Sequence, residues 1–294
     1  MNSTSCVVVT YNPKIKSFLE VLDSISIQCD SIYIVDNSDA DFSHALPKIE
    51  NLEYIHLNKN IGISAAQNIG IHKAMEKKQG FIWLSDQDTL YPPSYLTDML
   101  AMFENKSLTR VASVAPAYFD VNKNGIQDFI NHGPFTQRLT PKPGVNLISH
   151  AIASGMIIPT EVLKVVGPMQ EDLFIDWVDL EWCWRAKYRF GYQNIGNGNV
   201  VIKHTMGDNS VAFLGKKVSF RGATRHYYMI RNAFHLALHS RSAGPAIRVE
   251  IFFKALAWTI IFPLLASEDR SKHFNATLRG MWDGIRNKLG PMKS

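Results

Sequence analysis

Apolar positions in the first 120 residues follow two alternating periods. Cys6-Val-Val-Val-Thr10 is a β-branched run ended by Tyr11-Asn12-Pro13, which predicts a strand beginning close to the start of the chain. Ile15, Phe18, Leu19, Leu22 and Ile25 then recur at helical spacing. Ile32-Tyr-Ile-Val35 and Tyr54-Ile-His-Leu57 read as further strands. Ser64 to Lys78, carrying Ala65, Ala66, Ile69 and Ala74, reads as a helix, and Phe81-Ile-Trp-Leu84 as a fourth strand. Strand and helix in alternation imply a mostly parallel sheet with helices on both faces. Farther on, Val111 to Phe119, His150 to Ile158 and Tyr192 to Lys203 predict strands, and Asp179 to Phe190 a helix. Residues 120–148, rich in Asn, Gly and Pro, predict a long loop region. From about residue 222 the pattern is helical. The chain therefore divides into an α/β unit over 1–221 and a helical extension over 222–294.

Composition agrees with a packed core: 46% of residues are hydrophobic and 19% charged. Cys6, Cys29 and Cys183 are too scattered for a paired metal-ligand spacing, fit a reducing compartment, and leave Cys6 and Cys183 as packing residues. Charge changes the picture more. Residues 221–294 hold 12 Lys/Arg against 4 Asp/Glu, net +8, whereas residues 1–220 hold 19 against 22, net −3. A basic tail suggests an anionic surface near it. Within the tail, Ile251 to Ala266 is apolar but interrupted by Lys254 and Pro263, short of the ~18 uninterrupted residues of a spanning helix. Lying in a membrane interface, packing on the α/β unit and pairing with a second subunit are all open to such a segment. No nucleic-acid partner is expected.

Candidate chemistry collects at the predicted strand ends, where open parallel sheets bind ligands. Thr10-Tyr11-Asn12, Asp36-Asn37, Asn58 to Gly62 and Asp86-Gln87-Asp88 each follow a strand. One such group is an ordinary turn; four in succession make a binding rim. Asp86 and Asp88 offer the hard oxygens that Mg²⁺ or Mn²⁺ prefers beside a diphosphate. A second cluster joins Asp176, Asp179 and Glu181 with Trp177, Trp182 and Trp184. Desolvated carboxylates suit general-base work and tryptophan faces suit sugars. Equally, Asp179 suits a helix cap, with Trp182 and Trp184 in the core. Arg225, Tyr227, Tyr228 and Arg231 are placed to reach a phosphate or simply to be solvated. His132 and His150 carry no catalytic expectation.

These strings together resemble the inverting glycosyltransferase family 2, of GT-A fold, and within it bacterial rhamnosyltransferases. The likeness spans roughly residues 5–208. It is carried by Val8-Val-Thr-Tyr-Asn-Pro13, Val35-Asp-Asn-Ser38, Asn58-Lys-Asn-Ile-Gly-Ile63, Ser85-Asp-Gln-Asp88, Ala153-Ser-Gly-Met156, Asp176 to Arg185 and His204-Thr-Met-Gly-Asp208. The resemblance implies a Rossmann-like mixed, mostly parallel sheet, with a nucleotide-sugar half to about residue 120 and an acceptor half over 121–221. It implies that Thr10, Tyr11, Asn12, Asn60, Gly62 and Asp86 bind the nucleotide and that Asp36 meets the pyrimidine edge. Asp88 and His204 would bind Mg²⁺ or Mn²⁺, and Ser154, Gly155, Trp177 and Trp182 would meet donor or acceptor sugar. Asp179, six residues before Arg185, matches the base. The family often has Glu-Asp where this chain has Val178-Asp179, which keeps Asp176 as the alternative. The implied donor is dTDP-L-rhamnose, or otherwise a UDP-sugar such as galactofuranose. The implied acceptor is a saccharide or lipid-linked saccharide of bacterial surface polysaccharide (O-antigen) synthesis. The implied setting is the cytoplasm, at the inner face of the membrane, with homo-oligomer contacts through the C-terminal helices. A nucleotidyltransferase and a non-catalytic membrane scaffold are the competing readings.

Overall fold

The computed structural model describes residues 3–121, 124–132, 136–204, 209–213, 216–266 and 269–293. The first half forms as the periodicity predicts. Strands β1 (Thr4–Thr10), β2 (Ser31–Asp36), β3 (Leu52–His56) and β4 (Phe81–Asp86) pair in parallel, in the order β3-β2-β1-β4. Their residues alternate between two cores. Cys6, Val8, Ile32, Ile34 and Trp83 face one side, where helix α1 (Ile15–Ser26) buries Phe18, Val21, Leu22 and Ile25. Val7, Tyr33, Ile82 and Leu84 face the other, beneath helix α2 (Ile63–Glu76) and its Ile71 and Ala74. All three cysteines are buried and unpaired.

Register sets the functional edge. Thr10 is opposite Asp36, Asp36 opposite His56, and Val9 opposite Asp86, so the carboxyl ends of β1 to β4 finish together. Helix α3 (Tyr95–Leu100) then leads to strand β5 (Val111–Asp120). The sheet continues through β4 to β10 (Ile157–Pro159), β5, β11 (Gln193–His204) and β9 (Val145–Ile148). β5 and β11 are parallel, whereas β10 and β9 run antiparallel to their neighbours. Helices α4 (Thr160–Val166) and α5 (Val178–Phe190) cover this half.

Two expectations need correcting. Residues 120–148 are not simply loop: β6 (Gly125–Ile126), β7 (Phe129–His132), β8 (Thr136–Leu139) and β9 occur there, too short for periodicity to register. The strand expected over His150 to Ile158 is reduced to β10. Gly155 at φ +84° turns the chain just before it, and a Cβ there would collide with the Tyr95 hydroxyl. After a two-stranded ribbon, β12 (Asn209–Phe213) and β13 (Lys216–Phe220), the tail forms α6 (Ala223–Leu238), α7 (Pro245–Leu265) and α8 (Arg270–Ile285). These helices pack on one another and on α5, where Trp184 joins Ile230, Phe234, Ile251 and Phe262.

Candidate active site

A cleft of about 600 Å³ opens at the carboxyl ends of β1 and β4. Its volume is in the range of pockets that enclose small ligands and cofactors. Thr10, Tyr11, Asn60, Gly62, Asp86, Asp88, Ser154, Asp176, Trp177 and Asp179 all line it, with the Ser154 hydroxyl donating to Asp86. Expected residues from five separate segments thus converge on one space.

Asp179 sits in the first turn of α5. Its Oδ2 accepts the Ala153 N–H at 3.0 Å and its Oδ1 the Leu180 N–H at 2.9 Å. The helix-cap reading is therefore met only in part, because the residue before the helix is Trp177, with no side-chain cap bond. Burial pushes the Asp179 carboxyl up to about 6, and the nearby Asp86 charge adds to the rise, against the pull of the two N–H donors. A base near neutrality, held by two backbone bonds and retaining acceptor capacity on each oxygen, is suited to taking a hydroxyl proton. Asp176 is committed differently: Arg225 holds it through two guanidinium nitrogens at 3.0–3.2 Å.

Toward α2, Gly62 lies at φ +92° at the N-terminus of that helix. A Cβ there would fall 2.7 Å from the Phe174 carbonyl oxygen. Asn60 Oδ1 accepts the Gly62 N–H at 2.9 Å, while Asn37 accepts the Ile61 N–H at 3.1 Å and donates to the Gly62 carbonyl at 3.2 Å. Asn37, Gln67 and Gln87 also line the cleft, and Gln87 accepts the Tyr11 N–H at 2.8 Å. Asn37 and Gln87 stood beside the expected aspartates, but an amide gives no sequence signal of its own; Gln67 lay inside a helix pattern.

Several residues expected at the site are not among those lining the cleft. Asp36 is fully buried. Its oxygens accept from Thr10 Oγ1 (2.8 Å), the Ser38 N–H (3.1 Å), Ser38 Oγ (2.6 Å) and the Tyr54 hydroxyl (2.9 Å). Three of these donors converge on Oδ1 and the Tyr54 hydroxyl alone meets Oδ2, so Asp36 braces the strand ends from beneath the residues that line the cleft. Asn12, at φ 45°, is not among the lining residues, and its N–H donates to Ser38 Oγ at 2.7 Å. Gly155 is a backbone turn bonded to Leu84 and Tyr95. Trp182 is fully buried, with Nε1 donating to the Gly167 carbonyl at 2.9 Å, so it has no face for a sugar; Trp184 is also core. The side chain of His204 lies outside the described residues.

The C-terminal helices help to build the cleft. Phe174, Asp176 and Trp177 all have positive φ (65°, 62° and 69°), an unfavourable backbone for bulky residues that needs external support. Asn232 of α6 donates to the carbonyls of Leu173, Ile175 and Asp176 at 2.9–3.0 Å. Arg231, fully buried, donates to the carbonyls of Asp172 and Leu173 at 3.0 and 2.9 Å. Arg231 is thus a brace rather than a phosphate contact, and Tyr227 and Tyr228 are buried beside it. Arg225, in contrast, lines the cleft.

Among the described residues, no three or more His, Cys, Asp or Glu side chains gather as a metal cage. The chemistry of the rim still fits a cation shared with phosphate. Asp88 is exposed on the cleft wall, two residues past Asp86. Mg²⁺ usually takes one or two carboxylates and completes its shell with phosphate oxygens and water.

Comparison with known proteins agrees with this architecture. The model of glycosyl transferase family 2 matches residues 5–166. The chain is 31% identical to the dTDP-rhamnosyl transferase RfbF of Shigella flexneri, over 99% of this chain and 98% of that protein. It is 20% identical to the low-salt glycan biosynthesis hexosyltransferase Agl10 of Haloferax volcanii, over 99% and 93%. Among solved structures, S. aureus TarS 1-349 in complex with UDP-GlcNAc aligns with a TM-score of 0.60 at 16% identity, covering 98% of this chain and 84% of that one. GalNAc-T7 with UDP, GalNAc and Mn²⁺ aligns at 0.57 and 12%, covering 93% and 58%. With its parallel sheet, its cleft at the strand ends and this full-length likeness, the chain belongs to glycosyltransferase family 2.

Proposed function

We propose that this glycosyltransferase moves L-rhamnose from dTDP-L-rhamnose to a hydroxyl of a saccharide, free or lipid-linked, with inversion at the anomeric carbon. The observation that carries the donor is the 31% identity to a dTDP-rhamnosyl transferase along essentially the whole chain. The observation that supports the chemistry is Asp179, at the cleft wall and pushed up to about 6 by burial. Family membership speaks against the nucleotidyltransferase alternative.

In this reading the nucleotide lies along Thr10, Tyr11, Asn60 and Gly62, and the acceptor enters beside Trp177. Asp179 takes the acceptor's proton, and the oxygen attacks the anomeric carbon opposite the departing diphosphate. One displacement completes the transfer, without a covalent intermediate. The N–H groups of Ala153 and Leu180 keep the carboxylate aimed. Asp88, with Asp86, would hold a divalent cation, Mg²⁺ or Mn²⁺. When bound, it supplies charge neutralisation for the leaving diphosphate.

The division at residues 221/222, with a donor half to about 120 and an acceptor half beyond, belongs to the same proposal. So does work at the inner face of the cytoplasmic membrane. No helix among the described residues is long and apolar enough to cross a membrane. The experiment is a nucleotide-sugar screen. dTDP-L-rhamnose should be turned over to free dTDP, and dTDP should stabilise the protein against heat more than GDP does. Preference for GDP, or turnover of a UDP-sugar alone, overturns the donor assignment.

A further inference from the structure

We infer that helices α7 and α8 form a docking surface for an anionic lipid bilayer, on which the enzyme lies without crossing. Helix α7 packs Ile247, Ile251, Ala255 and Phe262 inward. A helix of a solvated monomer should be polar on its outer side. Here the outer stripe is Val249, Phe253, Leu256, Ile260 and Leu264, with Phe253, Ile260 and Leu264 each about two-thirds exposed (63, 65 and 66%). The Glu250–Lys254 ion pair flanks the stripe rather than interrupting it.

Helix α8 repeats the arrangement. It buries His273, Ala276, Thr277, Gly280 and Gly284, and it leaves Phe274, Leu278, Trp282 and Ile285 exposed. The two helices touch where Thr277 Oγ1 donates to the Thr259 carbonyl at 3.1 Å. Beside the exposed stripe, the Arg286 guanidinium stacks 4.0 Å from the Trp282 ring centroid. A tryptophan half-exposed under an arginine suits the boundary between acyl chains and headgroups. An apolar groove of about 350 Å³, lined by Leu238, Val249, Phe252 and Phe253, continues the α7 stripe.

Charge selects the occupant. Residues 245–294, from the start of α7 onward, hold 8 Lys/Arg against 4 Asp/Glu, net +4, while residues 1–220 carry −3. A second copy would bring the same net positive charge against the first, and like charges oppose that pairing. An anionic bilayer complements the same charge, each basic residue near the surface adding attraction that falls with salt. α7 and α8 pack on α6, whose first turn carries Arg225 into the cleft wall. The use of this surface, bringing the cleft to a lipid-carried acceptor, rests on the glycosyltransfer reading; the surface itself rests on the geometry and charge alone.

The test is flotation of the full chain with vesicles of phosphatidylglycerol and phosphatidylcholine, with pure phosphatidylcholine as reference. Binding should require the anionic lipid and weaken with salt. The double variant Phe253→Ser, Ile260→Ser should lose at least about tenfold in partitioning, as expected for two large apolar side chains withdrawn from lipid. Stabilisation by dTDP should be unchanged in that variant, which shows that it is folded and reads the donor proposal separately. Wild-type chain that never floats, or a double variant that floats as well as wild type, overturns the inference. A dimer in solution that the double variant splits would assign the face to a second copy and overturn it equally.

Discussion

Replacing Asp179 with asparagine separates chemistry from architecture, because the shape is kept while the proton acceptor is lost. Loss of a general base typically lowers rate by ~10²–10⁴-fold. The pH dependence is set by a carboxyl pushed up to about 6. Near pH 5 about one-tenth is ionised and near pH 7 about nine-tenths, so wild-type kcat/KM should rise roughly tenfold between them. Stability should respond with the opposite sign. A carboxyl whose folded pKa is raised holds its proton more tightly when folded. Its contribution is complete below the unfolded value of 3.8 and is lost as pH rises through about 6. The loss amounts to about 3 kcal/mol at pH 7. The substituted amide does not titrate and escapes it, but a single carbonyl oxygen cannot serve both the Ala153 and Leu180 N–H groups, which costs about 1–3 kcal/mol. The variant should therefore be near wild-type stability or up to about 2 kcal/mol above it at pH 7, and below wild type near pH 4. Transfer is read as nucleoside diphosphate released in the presence of acceptor, and stability by urea melts at both pH values. Near-normal transfer by Asp179→Asn, or a stability difference that does not change with pH, refutes the reasoning. Loss of transfer in Asp176→Asn alone would move the base to Asp176.

Asp88→Ala should weaken dTDP binding and abolish transfer, and a chelator should do the same to wild type; full activity in chelator contradicts the metal assignment. Gly62→Ala should destabilise by more than about 1 kcal/mol in a urea melt, since its φ of +92° and the Phe174 carbonyl leave no room for a Cβ; an unchanged midpoint contradicts the close approach. Asn232→Ala, remote from the chemistry, should lower stability by about 1–3 kcal/mol and raise the donor KM by releasing the 173–176 carbonyls; normal values for both would remove α6 as a brace. Trp182→Phe should retain donor affinity and transfer within a few-fold while losing the bond to Gly167; a large rise in KM alone would restore Trp182 as a sugar contact.

The α/β half was legible because its signals are local. β-Branched runs ended by Asn, Asp and Pro gave strands with polar carboxyl ends, and parallel register then brought Thr10 and Asp86 to one edge. That Asp179 would face the cleft was legible through its place in a motif. What escaped were outcomes of packing. A buried Asp36 and a rim Asp88 look alike in sequence; only the neighbouring Thr10, Ser38 and Tyr54 show that Asp36 is drawn beneath the cleft lining. Trp177 and Trp182 belong to one cluster, yet the helical turn between them puts the first at the cleft and the second in the core. Arg231 and Asn232 act on carbonyls more than fifty residues away, a contact that no period in the sequence announces.

The most direct test of the central claim is analysis of the reaction products with dTDP-L-rhamnose, the native enzyme and a saccharide acceptor. The account predicts one dTDP released per sugar transferred, and a new glycosidic bond whose anomeric configuration is opposite to the donor's. A product that retains the donor configuration, or pyrophosphate in place of dTDP, would contradict it.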